Sequence, residues 1–182
     1  MPGTLARTGV IKTPHGDIKT PAFIVVGTKA NVKAMVPEMV RGVGAQAVLA
    51  NAYHLYLQPG HDLIEQAGHL SKFMNWDGPT FTDSGGFQVL SLGSGFKKVL
   101  AMSTDVKEEI AIAKKSSRHA WVDDDGVMFK SHLDGSMHKF TPELSMQIQA
   151  GIGADITFAF DELTSLIDSY EYQVEALART HA

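Results

Sequence analysis

The sequence predicts an α/β protein built on a parallel sheet, and three observations carry that prediction. Four short apolar runs, at residues 23–26, 47–50, 80–82 and 155–160, have the continuous hydrophobic pattern of strands covered on both faces. Helical spacing follows the strands in turn, the alternation that produces β-α-β units. Polar or acidic residues stand at the C-terminal tips of these strands, namely Asn51, Asp83 and Asp161. In a (β/α)8 barrel that rim is the catalytic face, and such a barrel takes about 250 residues. Four units in 182 residues are therefore read as the first half of a (β/α)8 TIM barrel, a single partial domain over 1–182. A half barrel would leave the edges of its first and fourth strands open, which invites association.

Taken in order, residues 9–21 read as an N-terminal antiparallel hairpin, with Val10 and Ile11 on one strand, a turn at Pro14-His15-Gly16-Asp17, and Ile18 on the other. The first buried strand is 23–26. A helix is predicted over 32–43, with Asn31 as its cap and Gly42 or Gly44 near its end. The second strand, 47–50, leads into Asn51-Ala52-Tyr53-His54, and a short helix over 62–67 is stopped by Gly68. The third strand, 80–82, ends at Asp83 and the pair Gly85-Gly86. A helix is predicted from Thr104 or Asp105 within 97–118. An inserted β-hairpin is marked by apolar segments at 127–129 and 137–140 around Asp134-Gly135. Thr141-Pro142-Glu143 has the cap and first-turn proline of a helix running to Ile152. The fourth strand, 155–160, reaches Asp161-Glu162, and a last helix occupies 168 onwards.

Composition narrows the class. The chain is 44% hydrophobic and 20% charged, an ordinary globular balance. No apolar run is long enough to span a bilayer, and residues 1–8 lack the apolar core of a secretory signal, so a cytoplasmic protein with no membrane role is expected. The absence of cysteine removes disulfides and thiolate metal sites from this chain. A net charge of −4 is not the footprint of a surface that grips nucleic acid throughout. Local basic clusters at Lys97-Lys98 and at Lys114-Lys115 with Arg118 fit a solvated helix face.

The strongest chemical signal is Phe81-Thr82-Asp83-Ser84-Gly85-Gly86-Phe87-Gln88. A strand delivers a carboxylate to its tip, and two glycines let the backbone turn closely against a ligand. Phe87 offers a face for stacking and Gln88 both a donor and an acceptor. Taken alone, the same string also fits an ordinary Asp-Ser-Gly-Gly turn, and Asp161-Glu162 also fits a helix cap. His132, Asp134 and His138 flank a turn on opposite strands and are read as solvated, with no metal assigned.

These strings resemble the tRNA-guanine transglycosylase family. Thr82 to Gln88 is similar to the motif around that family's acid/base aspartate. Asn51-Ala52-Tyr53-His54-Leu55 with Pro59-Gly60 lies upstream, and Phe73-Met74-Asn75-Trp76-Asp77 lies between. Downstream, Phe129-Lys130-Ser131-His132-Leu133-Asp134-Gly135 and then Gly153-Ala154-Asp155-Ile156 to Phe160-Asp161-Glu162 follow in the family's order.

The resemblance implies that guanine in tRNA is exchanged for a 7-deazaguanine through a covalent enzyme–RNA intermediate. Asp83 would be the general acid/base, and Asp161 would read the Watson–Crick edge of guanine. Phe87 would lie against the purine, Ser84, Gly85 and Gly86 would line its pocket, and Asn51 would sit near the ribose. Gln88 lies beside the carboxylates without an assigned task. The family's nucleophilic aspartate and its Cys₃His zinc site have no counterpart here, so zinc is expected only in a C-terminal part, and the 182-residue piece alone is expected to be inactive. The implied partners are tRNA, guanine, and 7-aminomethyl-7-deazaguanine or queuine, with a homodimer at full length. Leu163 stands where bacterial members often have cysteine, and 93–121 is longer than the bacterial pattern. Two other classes are a non-catalytic accessory subunit and an unrelated barrel metabolic enzyme. The presence of both Asp83 and Asp161 argues against the accessory subunit.

Overall fold

The computed structural model describes residues 3–88, 120–164 and 168–182. In chain order the strands are β1 (Gly9–Thr13), β2 (Gly16–Thr20), β3 (Val25–Val26), β4 (Val48–Asn51), β5 (Thr80–Asp83), β6 (Ala120–Asp123), β7 (Gly126–Lys130), β8 (Met137–Phe140) and β9 (Ile156–Thr157). The helices are α1 (Pro37–Gly42), α2 (Ala52–Leu57), α3 (His61–Gln66), α4 (His69–Phe73), α5 (Pro142–Ile152) and α6 (Tyr170–His181). The helix expected within 97–118 and its basic residues lie outside the described residues. The chain forms two compact units, Met1–Asp83 with Gln147–Phe158, and Ser84–Met146 with Ala159–Ala182.

The first unit is the parallel α/β part. Its sheet has the order β3-β4-β5-β9, and all three pairings are parallel. The strand-helix rhythm of the sequence thus does yield neighbouring parallel strands. Successive residues on a strand face opposite ways, and the two faces of β4 have different covers. Leu49 packs with Phe81 and with Ile18 of the β1–β2 hairpin. Val48 packs with Val40 of α1 and with Trp76. Trp76 is fully buried and donates its indole N–H to the Pro79 carbonyl at 3.1 Å. Side chains of this kind each stabilise by roughly 1.5–3 kcal/mol when buried.

Several expectations need correction. The run 23–26 gives only a two-residue strand with Phe23 and Val26 exposed, because β3 has a neighbour on one side only among the described residues. The run 155–160 likewise gives only Ile156–Thr157, with Phe158 about half exposed. Continuous apolar character therefore marked the strands but overstated their length and cover. The helix expected over 32–43 starts at Pro37, after an extended Val36 with no side-chain cap. The clash between a proline ring and the preceding residue keeps that residue out of the helical region, so Asn31 cannot cap it. Three elements had no expectation: α2, α4 and β6.

A buried amide ties α5 to the sheet. Gln149 is fully buried, accepts from Thr82 Oγ1 at 2.9 Å and from the Phe158 N–H at 3.2 Å, and donates to the Phe158 carbonyl at 2.9 Å. The start of α5 follows the sequence, with Pro142 first and Thr141 Oγ1 accepting from the Leu144 N–H at 3.2 Å.

The second unit is built on the antiparallel sheet β6-β7-β8. Val127 and Phe129 are buried while their neighbours on β7 are not, the period of a half-covered strand. Phe129 meets Phe140 edge-on at 5.0 Å, and Phe140 meets Phe160 at 6.2 Å. This aromatic chain reaches the residue just before Asp161. Ser169 caps α6 by accepting from the Tyr172 N–H at 3.2 Å. No helix among the described residues is long and apolar enough to cross a membrane.

Candidate active site

Asp83 is the last residue of β5 and lies directly opposite Asn51, the last residue of β4. Parallel register therefore sets both side chains at the carboxyl edge of the sheet. Asn51 Nδ2 donates to Asp83 Oδ2, and the Ala52 N–H donates to Oδ1 at 3.0 Å. Asn51 also caps α2, with Oδ1 accepting from the His54 N–H at 3.1 Å. Ala52 opens the same helix, so the carboxylate is held by an amide and a helix-terminal N–H whose partners are otherwise hard to satisfy. Asn51 is buried, and a contact to a ribose would have to use its second amide hydrogen.

The opposite edge of the sheet has a different character. Asp155, buried just before β9, accepts from the Thr80 N–H at 2.8 Å and Thr80 Oγ1 at 3.1 Å, and faces His15 Nδ1 at 2.7 Å. Burial alone would raise this carboxyl, but the hydrogen bonds from His15 and Thr80 outweigh it and hold it below the usual carboxylate range. This group ties the β1–β2 turn to the N-terminal ends of β5 and β9, a structural duty on the rim where barrels place stability. In the sequence it stood only as one member of the string Gly153-Ala154-Asp155-Ile156, with no role assigned.

Asp161 belongs to the second unit, with Ser84, Gly85 and Gly86. Ser84 is buried, donates from Oγ to Asp161 Oδ1 at 3.1 Å, and accepts from the Gly86 N–H at 3.3 Å. Its carbonyl accepts from Ser145 Oγ at 3.0 Å, which fixes the loop. Gly85 has φ +88, a conformation that favours glycine. Gly86 is glycine for a different reason: a Cβ there would lie 2.6 Å from the Asp161 carbonyl oxygen and 2.7 Å from Oδ1. Gly86, Val127, Phe160, Asp161, Tyr172 and Arg179 are among the residues lining an open cleft in this unit. Asp161 Oδ2 makes no hydrogen bond among the described residues, so one oxygen is anchored and the other is available to a ligand.

The remaining candidates are placed as follows. Phe87 is 45% exposed, so it is no core residue among the described residues. Gln88 is half-buried, and its N–H donates to the Gly85 carbonyl at 3.1 Å. His138 Nε2 lies 2.7 Å from Ser136 Oγ, and its ring stacks on Phe129 at 5.4 Å. Hydrogen bonds from Ser136 and Ser131 pull exposed Asp134 down to about 2. Among the described residues no three His, Asp or Glu side chains are grouped to hold a metal, and the chain has no cysteine for a thiolate zinc site.

One cluster was not anticipated. Glu162 accepts from Tyr172 Oη at 2.6 Å and from Arg179 Nη1 at 2.9 Å, and its own N–H donates to Thr180 Oγ1 at 3.0 Å. All three partners lie on α6. The i, i+7, i+8 spacing of Tyr172, Arg179 and Thr180 places them on one helix face, a pattern readable in the sequence only once Glu162 was known to face it.

A family model described as queuine tRNA-ribosyltransferase matches residues 3–182. The chain is 50% identical over 181 residues to the queuine tRNA-ribosyltransferase of Roseiflexus sp. (strain RS-1), covering 100% of this chain and 44% of that protein. It is 50% identical over 177 residues to that of Desulforamulus reducens, covering 97% and 41%. The relative from Herpetosiphon aurantiacus is 46% identical over 176 residues, covering 97% and 39%. The chain therefore spans about two-fifths of the length of the curated relatives it matches.

Proposed function

The chain belongs to the queuine tRNA-ribosyltransferase family, and on that premise we propose that it supplies the acid/base and base-reading parts of an enzyme that exchanges guanine in tRNA for a 7-deazaguanine. Family membership removes the unrelated metabolic barrel from consideration. The α/β parallel sheet is in keeping with the first half of a (β/α)8 barrel, whose later strands would pair with the outer edges that β3 and β9 have among the described residues.

Breaking and remaking an N-glycosidic bond with retention calls for a nucleophile at the anomeric carbon and a second group that moves the proton of the leaving base. Asp83 is assigned the second task. It protonates guanine as the bond to the ribose breaks, then takes the ring proton of the incoming deazaguanine as that base attacks the covalent intermediate. The nucleophile that the family implies is assigned to a later strand of the barrel. The zinc site implied by the family does not fit the residues of this chain, and no step here is routed through it.

Asp161 is assigned recognition. Guanine presents N1–H and N2–H side by side, and a single carboxylate accepts both in a charge-assisted pair. An adenine would leave the carboxylate unpaired, and that cost discriminates against it. The observation that carries this assignment is the fixed Ser84–Asp161–Gly86 contact, which orients one carboxylate oxygen and leaves the other open. Ser84 and the two glycines shape the pocket, Phe87 stacks on the purine, and Gln88 borders it. Asn51 is assigned the orientation of Asp83, with any ribose contact secondary. The hairpin around Asp134 resembles the pattern of bacterial members, which favours 7-aminomethyl-7-deazaguanine over queuine as the incoming base. A cytoplasmic homodimer at full length acting on tRNA completes the proposal.

The test is Asp83→Asn in the full-length enzyme, followed by uptake of labelled guanine into tRNA. Uptake should be abolished while tRNA is still bound. Uptake near the wild-type rate would refute the acid/base assignment.

A further inference from the structure

Base exchange as assigned above makes no use of the Glu162 cluster. The Glu162 side chain is only 10% exposed, and a buried carboxylate is costly unless paired. Tyr172 and Arg179 pair both of its oxygens. Burial, and then the hydrogen bond to Glu162, push the Tyr172 hydroxyl up to about 12, so it stays a donor. Arg179 also reaches Asp124 Oδ1 at 3.0 Å, in the β6–β7 turn, and Glu175 at 3.8 Å within its own helix. Lys139 lies 3.7 Å from Asp123.

Four carboxylates line the same cleft: Asp123, Asp124, Asp161 and Glu162. Three have a cation within salt-bridge distance. Among the described residues Asp161 has none, and its one hydrogen-bond partner is the Ser84 hydroxyl. The peptide between Asp161 and Glu162 is also held, because its N–H donates to Thr180. Asp161 is thus fixed through its backbone from α6 and through its side chain from Ser84, while the cations beside it are spent on its neighbours. Among the described residues, an N–H donor pair on a ligand therefore meets no competitor for Asp161.

We propose that Glu162, Tyr172 and Arg179 form a positioning clamp that holds Asp161 for the guanine edge and reserves its charge for the base. This rests on the assignment of Asp161 as the base reader. None of the three need touch substrate; they act through the 161–162 peptide.

The experiment compares Tyr172→Phe, Arg179→Met, Arg179→Lys and Asp161→Asn in the full-length enzyme. Guanine exchange is measured with guanine varied at saturating tRNA, then with tRNA varied. Tyr172→Phe removes one oxygen and keeps the ring, so it should fold. The clamp predicts a rise in guanine KM of roughly tenfold for Tyr172→Phe and Arg179→Met, the fold-change of one lost charge-assisted hydrogen bond. The tRNA KM and kcat should hardly move, and Arg179→Lys should recover part of the loss. If these variants keep the wild-type guanine KM while Asp161→Asn is impaired, the clamp is wrong and the base reader stands. An unchanged guanine KM in Asp161→Asn overturns both. A loss that moves both KM values and kcat together, in step with thermal stability, also overturns the clamp.

Discussion

Gly86→Ala is the substitution for which the structure gives the clearest magnitude. The new methyl would lie 2.6 Å from the Asp161 carbonyl oxygen, 2.7 Å from Oδ1 and 3.4 Å from Ser84 Oγ. Gly86 is not in the left-handed region, so alanine has no backbone penalty there and the effect is one of contact alone. Relief is resisted on both sides, because the loop is held by Ser145 and the 161–162 peptide by Thr180, so the strain falls on the Asp161 carboxylate. Forcing one extra carbon into a packed site costs about 1–3 kcal/mol. Expressed in guanine binding, that range is roughly a 5- to 150-fold rise in KM. The assay is steady-state guanine exchange by the full-length enzyme, with each substrate varied in turn. Gly42→Ala serves as control, since no atom lies within 4 Å of its Cβ and it closes α1. That change should leave both KM values alone and stabilise by up to about 1 kcal/mol. A wild-type guanine KM in Gly86→Ala would refute the claim that this glycine is required by its contact with Asp161.

Asn51 separates two duties. Asn51→Ala removes the cap of α2, at a cost of about 0.5–2 kcal/mol, and removes the amide that orients Asp83, so both urea stability and kcat should fall. Asn51→Ser restores a cap oxygen but is too short to reach Asp83; stability should return while kcat stays low, and recovery of kcat would exclude an orienting role. Asp155 makes stability depend on acid. Its carboxyl is held below the ordinary value of 3.8 in the folded chain, so the stabilisation is fully present above that value and is lost as pH falls through the lower folded value. Urea midpoints should drop in that acid window and the drop should be smaller in Asp155→Asn; equal acid sensitivity in both proteins would count against the His15–Asp155–Thr80 tie.

Much of this architecture was legible in the sequence because its signals are local. The Gly9–Pro21 hairpin, the Thr141-Pro142 start of α5 and the ends of β4 and β5 follow from turn residues, caps and polar tips. The limits of β3 and β9 did not, since an apolar run does not say how many neighbours a strand will have. The start of α1 was missed for a local reason, the weight given to Asn31 over Pro37. At the candidate site, Asp83, Ser84, Gly86 and Asp161 stood out through their motifs. The long-range partners did not. Glu162 meets α6 across 17 residues at Arg179, and Asp155 meets His15 across 140, with nothing in either neighbourhood to announce the other. Asn51 illustrates the intermediate case: the residue was singled out, but its hold on Asp83 needed the parallel register to be seen.

The most direct measurement is the position of guanine bound to the full-length enzyme, determined crystallographically. Asp161 should accept N1–H and N2–H of the base with its two oxygens at ordinary hydrogen-bond lengths, with Ser84 still donating to Oδ1. A guanine whose Watson–Crick edge faces any other side chain, with Asp161 left facing solvent, would contradict the account at its centre.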